Sequence, residues 1–421
     1  MSEARRILIV AYHFPPLAGS SGIQRTLRFV QQLPRFGWRP VVLTAHPRAY
    51  ERTRADLMSE VPREVPVIRA AAWDASRHFS FRGRYIAAFS RPDRWMSWRF
   101  DAIRQGLRTI EQFKPQAIFS TYPIATAHLI AAELQCRSGL PWLADFRDPM
   151  AQDGYPADRK TWKQYKQIEE HALLHAQACL FTTPSAAAEY RQRYPAAAHK
   201  VRVLENGYDE ETFAASAALH DGGPLVPGAK TLLHSGIVYP SERDPTQLMV
   251  ALGRMHAQGR ISAKTVRVRF RAAVAEELLQ RLAEEHGVSA YVEVLPAIPY
   301  KDALSEMLRA DGLLLLQASN CNAQIPAKIY EYLRAGRPIV CLADAAGDTV
   351  DALRRAGVMA HANLADPDAI CTLLGRFLLT DASNEFLPDP LIVPNSSRLH
   401  RTEKLANILE GFCKPTRALS E

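Results

Sequence analysis

The stretch from Gln317 to Asp344, QASNCNAQIPAKIYEYLRAGRPIVCLAD, sets the fold class of the whole chain. It follows Leu313–Leu316, an apolar run with the length of a buried parallel strand. A polar loop, Ser319–Gln324, comes next, and Pro326 opens a helix where its missing N–H does no harm. Gly336 closes that helix as a left-handed cap, and Pro338–Leu342 resumes as a strand. Strand, loop, helix and strand in this order predict an open α/β sheet, in which ligands sit beyond the carboxyl ends of the strands. Lys328 and Glu331, three residues apart, share one face of the helix. A cation in a first turn costs a few tenths of a kcal/mol unless an anion occupies the helix end. Two readings stay open: a bound phosphate, or a surface Lys–Glu pair worth about 0.3 kcal/mol.

Composition bounds the rest. A chain of 421 residues is too long for one core and predicts two domains. Hydrophobic residues at 47% and charged residues at 23% are globular values. No run reaches the roughly 18 apolar residues of a membrane span, and the start, MSEARRILIVAYHFPP, lacks a signal-peptide pattern. The cysteines, 136, 179, 321, 341, 371 and 413, are scattered and read as reduced thiols of a cytoplasmic protein. The net charge of +8 favours an anionic partner.

Along the chain, Arg6–Ala11 reads as a buried strand that runs into a loop with Gly19, Ser20, Ser21 and Gly22 and a helix over 23–33. Such a loop suits an anion at the helix start, although a plain strand–helix turn would look the same. It departs from G-x-G-x-x-G, which argues against a dinucleotide site. Pro40–Ala45 is a second strand. From Arg77 to Arg108, arginines alternate with Phe79, Phe81, Tyr85, Phe89, Trp95, Trp98 and Phe100. An anionic membrane surface, single-stranded nucleic acid, or a helical wall with inward tryptophans would each explain that. Ala117–Pro123 ends a further strand, and Pro141–Met150 carries Asp145, Arg147 and Asp148 out of another. Arg147 is the expected partner of both carboxylates, which argues against a metal there. The group either positions an acceptor hydroxyl or holds its loop as a buried ion pair. Residues 214–228 are small and weakly patterned, the expected linker, and a second α/β series starts at Lys230.

The motif P-x-K-x-x-E-Y-L-x-A-G-x-P-I at 326–339 resembles the nucleotide-sugar signature of glycosyltransferase family 4, retaining enzymes of the GT-B fold. D-F-R-D-P at 145–149 and V-L-E-N-G-Y-D at 203–209 are similar to further steps of that family. The resemblance implies two Rossmann-like, doubly wound domains facing a cleft: 1–212 on the acceptor side, a linker 213–228, a donor domain 229–395, and a helix in 396–421 that packs back on the first domain. It implies Glu331 on the donor ribose, Lys328 and Arg243 on the phosphates, and Gly19, Ser20, Gly22 and Gly236 close to the donor. Ala297 and Ile298 would meet the base, with Gln324 and Ile325 beside the sugar. His13, Tyr122 and Arg147 fall on the acceptor side, and Asp145 and Asp148 join Lys328 and Arg243 as the expected catalytic residues. The family has two glutamates with seven residues between them; the first place holds Ala323, so Asn320, Asn322 or Gln324 would replace that contact. One arginine of the second phosphate site is likewise replaced by Ile237 or a neighbour.

The function so implied is metal- and cofactor-free transfer of a sugar from a nucleoside-diphosphate sugar to a lipid-linked or glycan acceptor in surface-polysaccharide synthesis. The protein would be cytoplasmic, with 77–108 against the inner face of the membrane and no nucleic-acid partner. The alternatives are a catalytically eroded GT-B protein that binds a nucleotide or glycolipid, and a nucleotide-sugar epimerase.

Overall fold

The computed structural model describes residues 5–19, 22–78, 90–218, 222–379 and 384–413. Ser20, expected at the donor, and 79–89 of the aromatic-basic stretch lie outside them. The chain divides into two compact units, Met1–Glu205 with Arg398–Glu421, and Asn206–Ser397.

The first unit is a seven-stranded parallel sheet. Its elements are β1 (Arg5–Ala11), α1 (Gly22–Gln32), β2 (Trp38–Ala45), β3 (Val67–Ala70), α2 (Ala75–His78), α3 (Trp98–Phe113), β4 (Ala117–Thr121), α4 (Thr126–Ser138), β5 (Trp142–Arg147), α5 (Arg159–His175), β6 (Ala178–Phe181), α6 (Pro184–Arg193) and β7 (Val201–Val203). The order β3-β2-β1-β4-β5-β6-β7 reverses direction between β1 and β4. Both faces are covered, so Ile7 and Ile9 enter one core while Leu8 and Val10 enter the other, as expected of a continuous apolar strand. The last helix, Arg398–Cys413, lays Leu405, Ala406 and Leu409 against Leu27, Val30 and Leu33. Arg401 pairs with Glu205 at 2.6 Å.

Trp98 is buried and Trp95 packs on the same core, so the described part of the aromatic-basic stretch is a helical wall. Its arginines are partly neutralised, Arg91 by Asp158, Arg94 by Glu51, and Arg104 by Asp101. Phe100 is exposed.

The second unit holds α7 (Glu210–Ala217), β8 (Lys230–Ser235), α8 (Thr246–Ala257), β9 (Val266–Arg271), α9 (Glu276–Glu285), β10 (Val292–Leu295), α10 (Tyr300–Arg309), β11 (Gly312–Leu316), α11 (Lys328–Ala335), β12 (Ile339–Leu342), α12 (Asp348–Arg355), β13 (His361–Ala362) and α13 (Pro367–Leu379). Its six parallel strands run β10-β9-β8-β11-β12-β13, so the order reverses between β8 and β11. The alternation of β9 holds: Val266, Val268 and Phe270 are buried, while Arg269 and Arg271 reach Glu306 at 2.8 and 2.7 Å.

The expected linker is not featureless. Its first residues belong to α7, which Asp209 caps through the N–H groups of Glu211 and Thr212 and which Phe213 anchors in the core. The unit boundary falls at 205/206 rather than near 212.

Glu169 is a fully buried charge of the first unit, and it accepts from Tyr190, Tyr194 and Arg193 and from the Ala151 N–H. Replacing it with alanine leaves two tyrosine hydroxyls without their acceptor and Arg193 with Glu189 and the Ala151 carbonyl. We expect Glu169→Ala to cost about 3–5 kcal/mol, read as a lower urea midpoint of the transition that reports this unit.

Candidate functional site

In the second unit the two strands that flank the reversal of order deliver the site. β8 ends at Ser235, and Gly236 follows at φ 111°. A Cβ there would lie 3.3 Å from the Lys328 ammonium, so both the backbone angle and the space call for glycine. Lys328 is the first residue of α11, which begins two residues after Pro326 and ends on Gly336 at φ 65°. Ile329, Tyr332 and Leu333 hold its inner face in the core.

Lys328 Nζ lies 3.0 Å from His234 Nε2. The other ring nitrogen of His234, Nδ1, lies 3.0 Å from the Leu314 carbonyl of the neighbouring strand. A carbonyl only accepts, so Nδ1 carries the proton, and the Nε2 lone pair accepts from the ammonium. Burial, then the Lys328 charge, hold His234 well below its ordinary range, so the ring stays neutral. Arg243 adds a second cation: its Nη1 donates to Ile237 O at 2.8 Å, its guanidinium stacks on Tyr239, and its Nε is buried without a hydrogen-bond partner among the described residues. Burial, then the Arg243 charge, bring Lys328 down to about 7, with Glu331 acting the other way. Two cations are thus clustered, with Glu331 as the compensating charge on Lys328.

Glu331 Oε1 accepts from Tyr300 Oη at 2.6 Å. Tyr300 opens α10 directly after the loop of Ala297 and Ile298, so that loop flanks the glutamate. Ile325 packs on the core, and the exposed Gln324 fixes the turn through its carbonyl, which accepts from Thr349. Of the amides offered in place of the missing glutamate, Asn320 is tied to Ser241 O and Asn322 to Asp344.

In the first unit the carboxylate pairing differs from expectation. Asp145 is fully buried and takes a two-pronged ion pair from Arg25 of α1, at 2.9 and 3.0 Å, not from Arg147. Thr121 donates to it at 2.9 Å, and Arg25 also donates to the carbonyls of Leu204 and Glu205. The carboxylate is thereby committed to joining α1, β4 and β5. Arg147 turns away because its φ is +63° and the β5–β6 register shifts at that point. It donates instead to Tyr122 O at 3.2 Å, with its Nε buried and unpartnered. Burial and then Arg147 hold His13 at about 4. His13, Tyr122 and Arg147 thus gather at the carboxyl ends of β1, β4 and β5, and Asp148 is exposed beside them. Gly19, at φ 84°, ends the described part of the first loop, and Gly22 is buried at the start of α1.

His234, Tyr300 and Arg25 escape sequence reasoning. Only His234 leaves a signal, as an imidazole interrupting the apolar run of a buried strand.

The family model described as a glycosyl transferase 4-like domain matches residues 21–207. No curated protein sequence matches the chain. Among solved structures, Anabaena Alr3699/HepE, crystallised with UDP and glucose, is similar at 13% identity and TM-score 0.62 over 97% of this chain and all of that one. A glycosyltransferase from Rickettsia africae superposes at 11% identity and TM-score 0.65, over 99% and 100%. Sucrose-phosphate synthase from Thermosynechococcus elongatus does so at 14% and 0.57, over 97% of each. With the two parallel sheets of seven and six strands, these matches give the chain the GT-B fold.

Lys328 also makes a pH prediction. Its value is depressed from 10.5 to about 7, so it favours the folded state above pH 10.5 and loses that contribution as pH falls to about 7. A bound anion restores the charge. Calorimetry with a nucleoside diphosphate at pH 8.5 should therefore show uptake of close to one proton, seen as a dependence of the heat on buffer, and none at pH 6.

Proposed function

We propose that the protein is a retaining, metal-independent glycosyltransferase of the family 4 type, using a nucleoside-diphosphate sugar. The observation that carries this reading is the pair Lys328 and Arg243 clustered at the β8–β11 reversal, with Gly236 leaving the backbone open beside them. It is a place built for a diphosphate. HepE with UDP and glucose on a similar fold supports the choice of nucleotide-sugar donors as the class to test.

In the reaction proposed, the acceptor oxygen attacks the anomeric carbon as the bond from that carbon to the phosphate oxygen breaks. Negative charge grows on the departing diphosphate, where Lys328 and Arg243 stabilise it more in the transition state than in the ground state. The acceptor proton passes to the leaving phosphate on the same face, which retains the configuration. Asp145 takes no part as a nucleophile, since Arg25 occupies both its oxygens. Glu331, presented by Tyr300, receives the ribose hydroxyls. Neutral His13 and the Arg147 guanidinium face the acceptor, a lipid-linked or glycan alcohol of surface-polysaccharide synthesis.

Ala323 favours a second reading, nucleotide binding without turnover, because the first glutamate of the family signature is absent there. A panel of nucleotide sugars with lipid-phosphate and glycan acceptors separates the two. Transfer with at least one donor is expected, and Lys328→Ala should lower it about 100- to 1000-fold without lowering the melting temperature. Donor binding with no product from any member would establish the second reading, and unchanged transfer in Lys328→Ala would remove the diphosphate role.

A further inference from the structure

The first unit contains a hollow of about 320 Å³ between α4, α5 and the segment 91–99. It has the volume of one or two sugar rings, at the small end of ligand pockets. Met96, Leu129, Trp142 and Ile168 make its walls partly apolar.

Two polar atoms of its lining residues, on His128 and Gln164, are buried without a hydrogen-bond partner among the described residues. His128 is 1% exposed, and its Nδ1 lies 2.7 Å from Ser120 Oγ. The same hydroxyl accepts from Trp142 Nε1 at 2.8 Å. An indole only donates, and among the described residues Ser120 Oγ has no acceptor other than His128 Nδ1; the arrangement that leaves no buried serine proton unmatched sends it to Nδ1 and puts the ring proton on Nε2. His128 lines the hollow, and its Nε2 is buried with no hydrogen-bond partner among the described residues. Burial holds the ring near 4, so it stays neutral and keeps that donor at pH 7. Gln164 Oε1, also on the lining, is a second buried atom without a partner. Native interiors rarely leave such groups unmatched. Arg91 on the rim is bound to Asp158 at 3.0 Å, whereas the half-buried Arg99 has no acidic partner among the described residues.

We propose that this hollow binds a small hydroxylated ring carrying one anionic group, a sugar carboxylate or a sugar phosphate. A ring oxygen or hydroxyl accepts from His128 Nε2, a hydroxyl meets Gln164, the anionic group faces Arg99, and the C–H face lies on Met96, Leu129 and Trp142. The site is independent of the diphosphate site and of the reaction proposed above.

Calorimetry and saturation-transfer NMR on the full chain test it, with glucuronate, glucose 6-phosphate and glucose as probes. At least one anion should bind about tenfold or more tighter than glucose, the usual worth of a charge-assisted hydrogen bond. Which anion binds identifies the source. Ala132→Phe, on the half-buried lining of α4, should abolish binding with an unchanged melting temperature, and Arg99→Gln should remove the preference for anions. The proposal is overturned if neither anion binds, if glucose binds as well as they do, if a structure at saturating probe shows only water there, or if Ala132→Phe binds like the parent.

Discussion

A lysine ammonium resting on the lone pair of a neutral imidazole is the contact on which the second unit's chemistry turns. It needs three things at once. β8 and β11 must be neighbours although some 80 residues separate His234 from Leu314. Gly236 must lack a side chain, or the ammonium would have no room. And α11 must start where Lys328 can reach inward. The parallel sheet meets the first demand, because the reversal of strand order leaves a gap between the helices on its two faces. An ammonium so placed is close to losing its proton, and an arriving anion reverses that balance. On the reading proposed, the cost of burying the cation is held until a diphosphate compensates it.

The local part of this arrangement was legible. Pro326, Gly336 and Pro338 punctuate the chain within a dozen residues, and local backbone rules read them correctly, except that the helix proper begins at Lys328. Lys328 drew attention through a misfit with its own helix, which one sequence can display. His234 did not, because its meaning is a hydrogen bond 94 residues away. The first unit repeats the lesson. Asp145 and Arg147 are two apart on a strand, where alternation puts both on one face, and pairing them was the natural inference. The left-handed backbone at Arg147 and the register shift break the alternation, and the partner arrives from α1, 120 residues away. A missed element was nearer at hand: Asp209 followed by two glutamates is a helix start, hidden by the small residues after it.

Both units use their buried ions in one of two ways. Asp145 with Arg25, Glu169 with its tyrosines and Arg193, and Glu306 with Arg269 and Arg271 are closed sets in which charge meets charge. These hold elements in place. Lys328 with Arg243, and the Arg147 Nε and His128 Nε2 atoms, are open sets with a donor left over.

The last helix has a consequence for synthesis. It covers Leu27, Val30 and Leu33, yet all of Asn206–Ser397 is translated between them and Leu405. At roughly 5–20 residues per second, the nascent first unit waits on the order of 10–40 s with that apolar strip bare. The second unit, contiguous in sequence, can finish folding on the ribosome first, and the strip is where a chaperone would hold the unfinished chain.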